Sequence, residues 1–349
     1  MAKRAGWAAA LLLVASVCSA CAPGAAVDPA VLRPLASATA AASLPALQLP
    51  RDDAPHHDLT EWWYYTGHLR SAAGASYGFE LVAFQGNRAG TPTAYAAHFA
   101  VTDNTRGTFQ FAQRTSTPAQ PPPARGFAFN FDGWQMSGYN GHDRLRASLG
   151  SYGIDLALAS LKPAVLHGQN GIISFGPAGR SYYYSRTRLA TSGTVDDHGH
   201  SAAVTGTSWM DHQWGNFIST AGGWDWFSIQ LSDHSELMLF LLRDAAGKSS
   251  GSYGTVVEPS GAVDVLPAGG YAVQALGKWT SPQSGITYPS GWLLKVGTTV
   301  LTIQPTVRDQ ELRTAASTGI TYWEGDSVVR GTRAGQVVTG QAYVELVGY

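Results

Sequence analysis

The chain has 349 residues, a formal net charge of −1 and only 13% charged residues. So weak a field excludes an electrostatic hold on nucleic acid, which needs a basic face. With 11 Trp, 15 Tyr and 12 Phe beside 40 Gly and 18 Pro, the composition points to strands, turns and aromatic-lined interiors and away from helical bundles.

Residues 1–21 read as an export signal peptide. Lys3 and Arg4 form a basic start, Ala8 to Val17 an apolar run too short to span a bilayer, and Ser19-Ala20 a small-residue cleavage region. Cys21 comes next in the manner of a bacterial lipoprotein acylation site, with simple secretion as the alternative. Both cysteines of the chain, Cys18 and Cys21, lie here, so the rest has no internal disulfide and is held by core burial. Residues 22–46, rich in Ala and Pro, read as a flexible tether. They would leave the protein in the cell envelope facing the periplasm, joined to the membrane through its lipid. The remaining chain is too long for one small barrel and divides into two domains, 47–219 and 220–349.

Strand-like runs then recur at Trp62–Arg70, Tyr77–Gln85, Ala94–Thr102, Thr108–Gln113, Phe127–Phe131, Arg144–Leu149 and Ile154–Leu161. Turn residues separate them, as in Ala73-Gly74 and Tyr139-Asn140-Gly141, which is an antiparallel meander signature. Thr115 to Arg125, with four prolines, reads as a polyproline-like loop. A second series runs Trp224–Leu231, Glu236–Leu242, Tyr253–Glu258, Val263–Leu266, Tyr271–Leu276, Gly291–Val296, Val300–Thr306, Ile320–Val329 and Val337–Leu346. In the first of these, Phe227, Ile229 and Leu231 make a core stripe, while Trp224, Trp226, Ser228 and Gln230 make a mixed one that reads as a cavity lining. No segment keeps helical periodicity over three turns. The fold class is therefore all-β.

Two segments concentrate ionisable groups among aromatic rings. Glu61-Trp62-Trp63-Tyr64-Tyr65 places rings on both faces of a strand, which suits a barrel wall that holds a ligand on one side. Trp209-Met210-Asp211-His212-Gln213-Trp214-Gly215 sets a carboxyl and an imidazole between indoles.

On these motifs the chain resembles the carotenoid 1,2-hydratase and AttH-like family of lipocalin-like proteins. The resemblance takes in His56-His57, the Glu61 and Trp209 segments, Ala97-His98-Phe99-Ala100-Val101-Thr102-Asp103, Tyr322-Trp323-Glu324-Gly325 and Gly340-Gln341-Ala342-Tyr343-Val344-Glu345-Leu346. It implies two tandem lipocalin-like antiparallel β-barrels with the aromatic and acidic motifs near their junction. In the hydratase branch an aspartate is thought to protonate a terminal isoprenoid double bond, and Asp211 matches it. Trp209 stands where that branch has a tyrosine, and an export signal departs from an enzyme of intracellular pigment synthesis, so the AttH-like lipoprotein branch fits better.

Protonating an alkene calls for a neutral carboxylic acid, favoured by apolar surroundings, and for aromatic faces that stabilise a carbocation. Asp211 has such neighbours, with Glu61 as a second acid or partner and His98 or His212 to place water or return the proton. Trp62, Tyr64, Trp209, Trp214, Trp226, Tyr322 and Trp323 are the expected ligand-binding residues. Blander roles stand beside these: Asp211 accepting backbone N–H groups at a strand corner, Glu61 paired with Arg70 or Arg180, and His98 as a satisfied core histidine. His56, His57, Asp58, Glu61 and His212 have the side chains of a zinc or iron site. No His-Glu-x-x-His spacing occurs, however, and adjacent histidines on a strand point apart, so neither a metal nor another cofactor is expected. Gly247-Lys248-Ser249-Ser250-Gly251 has the form of a nucleophile elbow but reads as a hairpin turn. Two functions stay open: a hydro-lyase that hydrates an elongated apolar isoprenoid or lipid-like molecule at Asp211, and a non-catalytic carrier of such a ligand.

Overall fold

In a computed structural model, residues 44–116, 123–168, 170–174, 179–217, 222–267 and 269–349 are described. The expected signal peptide, Cys21 and most of the tether lie outside these residues, as do the centre of the proline-rich loop and most of the expected domain boundary.

Two antiparallel sheets succeed one another along the chain. The first has twelve strands: β1 (Thr60–Ser71), β2 (Ser76–Gly86), β3 (Ala94–Asp103), β4 (Thr108–Ser116), β5 (Phe127–Phe131), β6 (Trp134–Tyr139), β7 (His142–Leu149), β8 (Tyr152–Ser160), β9 (Val165–Leu166), β10 (Ile172–Ser174), β11 (Gly179–Asp197) and β12 (His200–Phe217). Its order is β4-β3-β2-β1-β12-β11-β8-β7-β6-β5, with β9 and β10 also paired to β11. The end strands β4 and β5 approach each other, so the sheet curls into a barrel.

The second half comprises β13 (Trp224–Leu231), β14 (Glu236–Arg243), β15 (Ser249–Val257), β16 (Val263–Val265), β17 (Tyr271–Ala275), β18 (Lys278–Thr280), β19 (Thr287–Pro289), β20 (Trp292–Val296), β21 (Thr299–Pro305), β22 (Glu311–Arg313), β23 (Thr321–Arg333) and β24 (Gln336–Val347). Here the order is β16-β15-β14-β13-β24-β23-β21-β20-β17, with β22 on β23 and a separate β18-β19 pair. The Tyr271 hydroxyl donates to the carbonyls of Phe240 (2.6 Å) and Tyr253 (3.1 Å), pinning one end of the path to the other. The chain is thus all-β, with two tandem lipocalin-like barrels and, among the described residues, no α-helix. Ser249 of the elbow-like pentapeptide is exposed, at the start of a strand after a hairpin turn.

Each barrel has its own core. The first is filled by Trp63, Tyr65, Phe79, Phe99, Phe129 and Trp134 among others, the second by Phe227, Ile229, Leu239, Trp292 and Trp323. The stripe Phe227, Ile229, Leu231 faces the second core, and the alternate residues of β13 face the first barrel. Gly78 brings the two sheets close: a Cβ there would come within 2.6 Å of both Asp326 Oδ2 and the Tyr343 hydroxyl.

The two longest strands, β11 and β12, fall where the sequence shows no alternation. Their polar residues Ser185, Arg186, Thr187, Arg188, Thr191 and Ser208 are buried. Away from its turn, one face of this hairpin lies in the barrel and the other meets the second sheet, so neither face needs a solvent-facing polar row, whereas toward the turn Ser192, Asp196, Ser201 and Thr205 are exposed. The turn that joins them uses His198 and Gly199, with φ of 52° and 83°.

Candidate active site between the two sheets

The register of β1 on β12 sets the site. Tyr64 lies opposite Asp211, Thr66 opposite Trp209, Trp63 opposite His212 and Glu61 opposite Trp214. Side chains alternate along a strand and opposed residues share a face. Asp211, Trp209, Trp62 and Tyr64 therefore face the second sheet, while Glu61, His212, Trp63 and Trp214 point into the first barrel. The four expected catalytic residues do not form one group. Asp211 and His98 stand on the inter-sheet face, and Glu61 and His212 stand on the other.

Asp211 is 3% exposed. Its carboxylate accepts hydrogen bonds from Trp209 Nε1 (2.7 Å) and from the hydroxyls of Tyr183 and Ser185. No backbone N–H is among these donors, so the strand-corner role does not describe it. Burial still pushes its pKa up to about 6 against those three donors. Ser185 is in turn 2.6 Å from His167 Nε2, and Trp226 Nε1 donates to the Tyr183 hydroxyl at 3.1 Å. His167 is fully buried and held neutral, its pKa pushed by burial to about 3.

From the facing sheet come carboxyls that the sequence did not single out as catalytic. Glu324 and Glu345 are cross-strand partners on β23 and β24, and Trp226 is the partner of Glu345 on the other side. The Tyr64 hydroxyl donates to Glu324 Oε1 (2.7 Å), Trp224 Nε1 to Glu345 Oε2 (2.8 Å), and the Tyr322 hydroxyl to Glu80 Oε1 (2.9 Å). Burial, and then the charges of Glu80 and Glu345, raise Glu324 well above the carboxylate range. Burial takes Glu345 to about 7 and Glu80 to about 8, with the donors from Trp224 and Tyr322 opposing. Burial also keeps Tyr64, Tyr183 and Tyr322 neutral, so their O–H groups remain donors.

Carboxyls packed this closely in a low dielectric cannot all ionise. Neutral carboxylic acids therefore persist near pH 7. Glu80 Oε2 and Glu324 Oε2 are buried and, among the described residues, have no hydrogen-bond partner. Trp62, Phe84, Trp224 and Glu345, all on the inter-sheet faces, are only partly buried. The layer is therefore open to solvent at these residues.

His98 is fully buried in the inter-sheet layer, with Nδ1 2.7 Å from the Tyr322 hydroxyl and Nε2 2.9 Å from Ser317 Oγ. Burial lowers its pKa to about 3, so it is a satisfied neutral imidazole that orients Tyr322 toward Glu80. Of the expected ligand-binding residues, Trp62, Tyr64, Trp209, Trp226 and Tyr322 all stand in this layer, where the Trp226 ring lies edge-on to Tyr64 (5.3 Å) and Trp209 (6.1 Å). Trp214 and Trp323 do not. Trp214 stacks in the first barrel on His56 (4.1 Å), and Trp323 fills the second core, with Nε1 donating to the Arg308 carbonyl at 2.8 Å. Strand parity explains both, since each is an odd number of residues from a neighbour that faces the layer.

Glu61 does not pair with Arg70 or Arg180, which are exposed. Its Oε1 lies 2.8 Å from both His56 Nδ1 and His212 Nε2. Burial alone would raise this carboxyl, but the two histidines outweigh it and hold the pKa below the ordinary value. A separate groove of about 960 Å³, lined by Phe127, Tyr139, Arg144, Leu158 and Thr191 among others, contains none of these residues.

The AttH-like family model matches residues 40–349. The crystal structure of a putative AttH from Nitrosomonas europaea is similar at 31% identity and a TM-score of 0.79, over 88% of this chain and 98% of that one. Kievitone hydratase from Nectria haematococca shares the fold at 18% identity and a TM-score of 0.71, over 88% of this chain and 94% of that one. The kievitone hydratase of Fusarium solani subsp. phaseoli is 25% identical over 200 residues, which is 55% of this chain and 56% of that protein, so the match spans about half the hydratase. By its sequence and its fold, this chain belongs to the AttH-like family.

Proposed function

We propose that this protein is an exported lipoprotein of the cell envelope. In this reading it takes an elongated apolar molecule, isoprenoid or lipid-like, between its two sheets and adds water across a carbon–carbon double bond. One observation carries the reading: Asp211, Glu80, Glu324 and Glu345 meet in an aromatic layer where two carboxyl oxygens have no hydrogen-bond partner among the described residues. Similarity to kievitone hydratase supports the reaction class.

In hydration, a neutral carboxyl of the Glu324 and Glu345 pair gives its proton to one alkene carbon, leaving a tertiary cation on the other. The π faces of Tyr64, Trp209 and Trp226 favour that charge. Water then forms the C–O bond and loses a proton to Asp211, whose three donors suit it to stand as the acceptor. Proton transfer from Asp211 back to the glutamates through water restores the starting state. The net change is alkene plus water to alcohol.

Incubating the full chain with acyclic isoprenoids in heavy-oxygen water tests this. A labelled alcohol is expected, formed about 10²-fold or more slowly by Asp211→Asn. No label in any product, with Asp211→Asn indistinguishable from wild type, removes hydration. The partly exposed Trp62, Phe84 and Trp224 also suit a carrier. That reading is the one left if isoprenoid co-purifies one per chain and is released unchanged.

A further inference from the structure

On the opposite face of β1 and β12 from the acids, His56, Glu61 and His212 gather three ligand atoms that lie within 4.8 Å of one another. Glu61 and His212 are fully buried, and the His56 side chain is 22% exposed. The argument from adjacent histidines holds only if His56 and His57 are neighbours on one strand. In the structure His56 precedes β1, and the chain between them turns its ring back over Glu61 while His57 stays exposed. We infer that His56 Nδ1, His212 Nε2 and a Glu61 oxygen form a binding site for one divalent first-row metal ion of the zinc type.

The hydrogen count is the first argument. The Tyr184 hydroxyl donates to Asp53 Oδ1 at 2.6 Å, so its oxygen is left to accept from His212 Nδ1, 3.3 Å away. A neutral His212 with its proton on Nδ1 presents a bare Nε2 lone pair to Glu61 Oε1 at 2.8 Å. In that tautomer two lone pairs face each other and a metal ion would satisfy both, whereas the other tautomer donates from Nε2 to Glu61 and leaves Nδ1 facing a hydroxyl that already donates to Asp53.

Geometry is the second. The three ligand atoms lie within 4.8 Å of one another, and tetrahedral metal–ligand bonds of about 2.0–2.1 Å hold donors roughly 3.3–3.4 Å apart, so an ion would open the 2.8 Å separations from Glu61 Oε1 to each nitrogen by about half an ångström. Two imidazoles and one carboxylate on one side of an ion are a common donor set for zinc and iron.

The third is the support behind each ligand, which metal sites share. Glu61 Oε2 accepts from the His56 backbone N–H (2.8 Å) and from Gln85 Nε2 (3.1 Å), leaving Oε1 to the ion. His56 lies flat on Trp214 at 4.1 Å, and His212 stacks on Trp63 at 4.5 Å. Such an ion would clip the segment ahead of β1 onto both central strands of the first barrel. Its occupancy is independent of any reaction between the sheets.

The test uses the full chain purified without a polyhistidine tag, stripped with chelator and titrated with Zn²⁺ by calorimetry, with Co²⁺ as a spectroscopic probe. One ion per chain at micromolar affinity or better is expected, with visible Co²⁺ bands and a rise in melting temperature. His56→Ala removes a partly exposed ligand and leaves the buried pair, so it should fold and bind at least about 100-fold more weakly. Glu61→Gln should do the same. No stoichiometric binding, or binding unchanged in folded His56→Ala, overturns the site and leaves a proton holding Glu61 and His212 together.

Discussion

The Tyr64 hydroxyl on β1 and Glu324 Oε1 on β23 are joined by a 2.7 Å hydrogen bond between side chains 260 residues apart. Each is buried, and among the described residues the second carboxyl oxygen of Glu324 has no hydrogen-bond partner. This bond ties the acids of the second sheet to the central strand of the first.

Tyr64→Phe leaves both Glu324 oxygens unsatisfied, and the loss of a buried partner costs about 1–3 kcal/mol. Glu324→Gln should cost less, because a neutral carboxyl and a carboxamide have the same shape and both accept from Tyr64. Chemical denaturation of the two variants measures the order. A Gln variant less stable than the Phe variant would mean that Glu324 is ionised and held by a charge.

Stability should fall as pH rises from about 6.5 to 8.5. Glu345 and Glu80 have folded pKa values of about 7 and 8, above the unfolded carboxyl value of about 4.3. Their contribution is complete below the unfolded pKa and is lost as pH rises through the folded one, because the unfolded chain releases its protons first. Asp143, raised by burial to about 7, acts in the same direction. His98 and His167, lowered to about 3, act oppositely but only up to the unfolded histidine value near 6.5. Above that pH the carboxyls act alone, for a drop on the order of 2 kcal/mol. The groups set against Glu80 and Glu345 are Tyr322, Trp224, Glu324 and Asp211, none of them cationic. Urea midpoints across this range report the slope, which Glu80→Gln should flatten; a midpoint that climbs to pH 8.5 would contradict neutral acids in the layer.

Much of the architecture was legible because the outer strands alternate. Along β7 exposed and buried residues take strict turns, as the pattern of Arg144 to Leu149 predicts. The β11 and β12 hairpin was not, since away from its turn its residues are buried on both faces and their polar side chains serve the interior. The same blindness divided the site wrongly. Taken as a cluster and not as a strand, Asp211 and His212 look like partners, whereas strand parity puts them on opposite faces. Glu80 and Glu345 left a weaker trace: each is a lone carboxyl within an apolar strand, a pattern that solvent exposure would not require. The mixed stripe of Trp224 and Trp226 was readable for the opposite reason, because its neighbour stripe is wholly apolar.

The close approach of the sheets at Gly78 gives the last prediction. A methyl group there would meet Asp326 Oδ2 and the Tyr343 hydroxyl at 2.6 Å, and the Asp326 β-carbon at 2.7 Å. Asp326 swings aside only by giving up its contacts, since Asn104 Nδ2 donates to Asp326 Oδ2 at 2.6 Å and His68 Nδ1 lies 2.9 Å from Asp326 Oδ1. Gly78→Ala is expected to push the sheets apart and open water to the acid layer, at about 1–3 kcal/mol for the overpacking alone. Gly74→Ala is the control, since it sits in a turn at φ 89° with nothing near and costs only the strain of a left-handed backbone, about 1 kcal/mol. Thermal melts compare the two, and hydrogen exchange at β2 and β23 shows whether the layer has opened. Equal loss in both variants, with exchange at these strands unchanged, would mean that the two barrels tolerate separation and that their contact does not hold the carboxyls together.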